Sequence, residues 1–151
     1  MKSTEVTGRR AFQVHSQTLD NGLKVLLVEN PSVPTVSMTA SVLAGARCDK
    51  ESKAGLAIMA SRLLDEGTHN RTSLEIADAI ESVGGAIEVD GSFERIIATA
   101  GVLKKDVALG LELLSDLLIQ PAFPQEYIDK EKERTLAEIV SAQDRPQVVA
   151  V

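Results

Sequence analysis

Polar and apolar residues alternate along residues 35–44 (TVSMTASVLA), with Val36, Met38, Ala40 and Val42 on one side. A period of two marks a strand with one face on a core. Residues 17–30 (QTLDNGLKVLLVEN) predict a strand, a tight turn and a second strand, since Asp20, Asn21 and Gly22 all tolerate positive φ. Pro31 and Pro34 then break the pattern, and Gly45 ends the strand that follows them. A further hairpin is expected at 86–90 and 94–103, with Gly91-Ser92 between its strands.

Elsewhere the period is helical. Residues 55–66 (GLAIMASRLLDE) predict a helix closed by Gly67. Thr72-Ser73 precede a second, with Leu74, Ile76, Ala77, Ile80 and Val83 apolar, Glu75 in its first turn and Gly84-Gly85 as its stop. A third runs from about 106 to 120 on Leu109, Leu113, Leu114, Leu117 and Leu118. Pro121 and Pro124 separate it from a charged helix spanning about 125–142. The expected fold is α+β, with four helices on one face of a mainly antiparallel sheet that includes 24–29, 35–43, 86–90 and 94–103. Residues 1–16 are read as an N-terminal extension and 17–151 as one domain.

Composition narrows the function. Sixteen basic against twenty-two acidic residues give a net charge of −6, which argues against nucleic acid as a partner. With aromatics at 3% and no Trp, the core must be aliphatic. Cys48 is the sole cysteine, so no intrachain disulfide forms, and no His near it in sequence would make it a nucleophile. No apolar run is long enough for a membrane span. Residues 1–10 are polar and carry no signal-peptide core, so a soluble protein is expected. The compartment stays open between cytoplasm and, had a signal peptide been removed, periplasm.

Several joints carry a resemblance. They are LDNGLKVLLVEN at 19–30, AGARCDKE at 44–51, Gly55-Leu56-Ala57 with Gly67-Thr68, Pro121-Ala122-Phe123, and a final helix with Glu131, Glu133, Arg134, Glu138 and Ile139 before Asp144-Arg145-Pro146. In this order they resemble the N-terminal half-domain of pitrilysin/insulinase metallopeptidases, a group that includes the mitochondrial processing peptidases. The likeness spans about 17–148. Family half-domains continue past this point, so the chain is expected to be an incomplete half-domain.

The resemblance also implies a metal site. Active members carry HxxEH on the Gly-Leu-Ala helix, with two His as zinc ligands and Glu as general base. A later Glu is the third ligand. The matching positions here are Ile58, Ser61 and Arg62, with Glu138 as the remnant ligand and Glu131 as an accessory acid. Ile58 has no donor atom, Ser61 is a poor base, and Arg62 keeps its positive charge. No zinc is therefore expected in this chain. His15 and His69 lie far apart in sequence, so a rebuilt site is not expected either. Arg62 is expected to pair with Glu138, shared with Glu131, where the metal would otherwise sit.

The resemblance implies a non-catalytic homologue, the partner or structural half of a clamshell that encloses unfolded peptide beside an active subunit or second half-domain. The rival readings are a piece of an active metalloendopeptidase whose HxxEH lies in another half-domain, and a scaffold without peptide contact. Peptide contact would add a strand at Glu88, Val89 and Asp90, where active members read N-A-x-T. Some apolar surface is expected to stay exposed, with self-association one way to cover it.

Overall fold

The computed structural model describes residues 13–143. The chain divides into two compact units, 1–34 and 35–151. In the first, β1 (Val14–Thr18) pairs antiparallel with β2 (Lys24–Val28), His15 opposite Leu27 and Gln17 opposite Val25. The turn closes as the Gly22 N–H donates to the Leu19 carbonyl and the Leu23 N–H to Asn21 Oδ1. Gly22 takes φ 86°, which a side chain would resist. Two expectations change here. Residues 24–28 form a two-stranded sheet with β1, because a short turn closes a local pair at little entropic cost. The first strand also begins at Val14, inside the stretch read as an extension.

The second unit is an α+β layer pair. Its sheet has the order β3-β5-β4, built from β3 (Thr35–Val42), β4 (Ala86–Gly91) and β5 (Ile96–Leu103), all antiparallel. Register places Met38 opposite Ala100 and Ala40 opposite Ala98 on one side, with Ile87 and Val89 opposite the same alanines on the other. These residues make one apolar face. The other face carries Ser37, Thr39, Glu88 and Thr99, with Thr39 and Thr99 hydroxyls 3.4 Å apart across the strands. The hairpin loop is Ser92–Arg95, one step beyond the expected Gly91-Ser92, because the Ser92 hydroxyl both donates to the Arg95 carbonyl and accepts from its N–H.

The helices are α1 (Leu56–Ser61), α2 (Ser73–Ser82), α3 (Val107–Ile119) and α4 (Gln125–Gln143). Ile80 of α2 and Leu113 and Leu114 of α3 bury against Ala98, Ala100 and Val102. Gly110 allows this approach, since a Cβ there would overlap Met38 Cε. Thr72 caps α2 in a reciprocal box: its hydroxyl accepts from Glu75 N–H, and the Glu75 carboxylate accepts from Thr72 N–H at 2.8 Å. The helix expected over 55–66 stops at Ser61. Beyond it the chain tightens into turns, with Leu63 N–H donating to the Ala60 carbonyl and Glu66 N–H to that of Leu63, which tucks Leu63 and Leu64 inside. On α4, Leu136, Ile139 and Val140 are exposed at helical spacing, as is β2 along its length.

Candidate functional site

The site is assembled where the end of α1 meets β4 and α4. Asp49 fixes the start of α1: its carboxylate accepts from Gly55 N–H at 2.9 Å and Ala57 N–H at 3.1 Å. These are donors a helix start leaves unpaired. Ile58 and Ser61 then lie three residues apart on one helix face, with Arg62 as the helix's closing residue. The sequence reading did not single out Asp49. Its signal was an acid six residues ahead of a Gly that opens a helix.

Ser61 is buried at 1% exposure, and its hydroxyl donates to the Ile58 carbonyl at 2.7 Å. It packs on Gly91 at the end of β4. A Cβ on Gly91 would fall on Ser61 Oγ and 2.7 Å from Ser61 Cβ, with Ile58 Cδ1 at 3.5 Å. A longer acid at 61 in this orientation would run into the strand. The position that the resemblance would match to a base is thus closely packed against β4.

Arg62 turns the other way, toward α4. Its Nη1 donates to Glu131 Oε1 at 2.9 Å and to Glu138 Oε2 at 3.1 Å. Arg134, on α4 itself, donates to Glu131 Oε2 at 2.7 Å and lies 3.7 Å from Glu138 Oε1. The Thr135 hydroxyl adds a bond to Glu131 Oε1 at 3.3 Å. The expected pair is present, but one guanidinium nitrogen bridges both acids in place of a two-nitrogen fork on one carboxylate. Glu131 is the inner member at 7% exposure, against 51% for Glu138. Hydrogen bonds to Glu131 and then Glu138 raise Arg62 above its ordinary pKa. Burial alone would push the Glu131 carboxyl up, but Arg62 and Arg134 outweigh it and hold the group below its ordinary value.

Zinc does not fit this donor set. Both carboxylates already share a fixed cation, Ile58 offers no ligand atom, and the Ser61 hydroxyl is spent on a carbonyl. Among the described residues no three His, Cys, Asp or Glu side chains gather as a metal site. His15 lies on β1 and His69 in the loop before α2. Exposed Cys48 makes a weak contact with the Leu43 carbonyl at 3.7 Å.

Glu88, Val89 and Asp90 lie on β4, at one edge of its sheet. Val89 turns toward the core, while Glu88 and Asp90 are exposed on the opposite face. A second arginine centre escaped the sequence reading. Arg71 pairs with Glu112 and with Asp116, the latter at 2.6 Å, and Asn70 Nδ2 also donates to Asp116 at 3.1 Å. Its one sequence signal was the i,i+4 acid pair on α3. A cavity of about 440 Å³ opens beside this loop, lined by Glu66, His69, Glu75 and Tyr127 among others. None of Ile58, Ser61, Arg62, Glu131 or Glu138 lines it.

The fold and the altered site define a half-domain of a zinc-peptidase type. Residues 24–151 match the family model for insulinase, peptidase family M16. The chain belongs to that family. It is 30% identical over 128 residues to an uncharacterized zinc protease of Rickettsia bellii, covering 85% of this chain and 31% of the relative. It is 28% identical over 134 residues to a probable mitochondrial-processing peptidase subunit beta of Arabidopsis thaliana, covering 89% of this chain and 25% of that protein. The chain thus spans about a third or less of the curated relatives it matches. The crystal structure of a peptidase M16 inactive domain from Pseudomonas fluorescens superposes with a TM-score of 0.85 at 23% identity, covering 91% of this chain and 34% of that one. That likeness shows the fold.

Proposed function

We propose that this chain is a metal-free half of a two-part M16 peptidase, facing an active half and helping to enclose an extended peptide. The observation that carries the reading is the Arg62 guanidinium, 2.9 Å and 3.1 Å from Glu131 and Glu138, beside positions 58 and 61 that hold no ligand. Such a site can activate no water, so any contribution to proteolysis comes through shape and contact. The edge position of β4 supports the contact: its outer backbone groups suit strand addition by a peptide, and Glu88 and Asp90 favour cationic side chains on it.

The test is metal analysis and a fluorogenic peptide assay on the purified protein, alone and mixed with an HxxEH-bearing M16 polypeptide. Alone, it should hold no stoichiometric zinc and cleave nothing. With the active polypeptide it should form a complex and change the rate or selectivity of cleavage. One zinc per chain with chelator-sensitive cleavage by the protein alone would overturn the reading. Complex formation with no effect on peptide binding or cleavage would favour a scaffold.

A further inference from the structure

The family implies a metal, and the residues at its place do not accept one. We infer that Arg62 is the resident cation of this site: its guanidinium ties the end of α1 to α4 through Glu131 and Glu138, and the junction is complete without any ion.

Three features carry this. First, one nitrogen, Nη1, meets carboxylates that stand 69 and 76 residues away in sequence and seven apart on α4, so both acids converge on a single positive centre. Convergence of acids from two successive stretches of a helix on one charge is what a cation does, and an isolated surface pair does not require it. Second, Glu131 is nearly fully buried, and a buried carboxylate without a cation is costly. Third, the two arginines divide the work. Arg134 satisfies the same two acids from within α4, so it neutralises charge without joining helices. Arg62 comes from another element, so it neutralises charge and also positions α4. The inference concerns the junction alone and holds whether or not the protein meets a peptide.

The test compares thermal unfolding midpoints of the protein and five variants, with ZnCl₂ or with a chelator. Arg62→Met keeps the stem and removes the charge, and should lower the midpoint by about 3–8 °C. Arg62→Lys, which keeps a charge, should recover at least half of that loss. Arg134→Met removes a charge from the same carboxylates but no link between helices, and should cost less than Arg62→Met. Glu131→Gln should cost more than Glu138→Gln on the same scale. Zinc and chelator should both leave the wild-type midpoint within about 1 °C. Should Arg62→Met fail to fold, Arg62→Lys against Arg134→Met and the two Glu variants carry the comparison. The inference is overturned if Arg62→Met is silent, if Arg62→Lys is as harmful as Arg62→Met, if Arg134→Met costs as much, or if zinc raises the wild-type midpoint in a way that Glu138→Gln abolishes.

Discussion

Two arginines, nine residues apart, each hold a pair of acids on a distant helix, yet their surroundings differ. Arg71 sits in a loop already stitched down by backbone bonds. His69 N–H donates to the Gln120 carbonyl at 2.9 Å, Ala122 N–H to the Gly67 carbonyl at 3.0 Å, and Thr68 accepts from Asn70 and Arg71 N–H. Asn70 also keeps hold of Asp116. Among the described residues the hydrogen bonds that join the end of α1 to α4 run through the Arg62 guanidinium, while Ser73 on α2 meets the Tyr127 hydroxyl of α4 at 3.0 Å. The same ion-pair chemistry is therefore redundant at the Arg71 loop and without a substitute between α1 and α4. An ion pair's structural weight depends less on its own strength than on what else joins the same elements.

The comparison can be broken most directly by removing each arginine. Arg62→Met should destabilise the protein by about 1–3 kcal/mol. That lies below the range for a fully buried pair, because about a third of the Arg62 side chain remains in water and is screened. Hydrogen exchange should show added opening along α4 and little change in β5. Uniform exchange across the sheet would contradict a local tie.

Coupling energies sharpen the point within the site. A double-mutant cycle for Arg62 and Glu131 should give about 1–2 kcal/mol, since Glu131 is enclosed. The cycle for Arg62 and Glu138 should give about 0.3–0.5 kcal/mol, the value of a solvated pair. Equal couplings would mean that burial does not set their ranks.

Arg71→Met should cost about 0.5–1 kcal/mol, with the loop's backbone bonds and Asn70 retaining its path. Exchange protection at His69 and Ala122 N–H should persist. If those amides open, the loop depends on its arginine after all, and the contrast between the two centres fails.

The smallest effect is expected at Glu75, which faces the solvent and accepts from the Thr72 N–H and hydroxyl. Those bonds, backbone first, hold its carboxyl below the ordinary 4.5. A depressed folded-state value means the contribution is present above about the unfolded pKa and is lost as pH falls through the lower, folded one. In an acid titration of stability, Glu75→Gln should flatten the curve in that window, leaving the variant slightly less stable than the wild type near neutrality and equal to it at the acid end. A difference that persists undiminished at the acid end would contradict the ionised capping box as its source.

Much of this molecule was determined by its sequence alone. Alternation at 35–44 and the Asn21-Gly22 turn specify local geometry, because strand pleat and positive φ are properties of a few adjacent residues. Thr72 with Glu75 specifies a helix start for the same reason. The chemical identities of Ile58, Ser61 and Arg62 already denied the site its ligands and base, whatever the fold. The meeting of Arg62 with Glu138 was legible only through the resemblance, since no local period links residues 76 apart. Tertiary structure decided the rest. It ended α1 at Ser61 so that Leu63 and Leu64 could turn inward. It also set Ser61 against Gly91, joined Arg71 to α3, and let one guanidinium nitrogen serve two acids. Each of these depends on distances between elements, which packing of the whole unit sets and no short stretch of chain encodes.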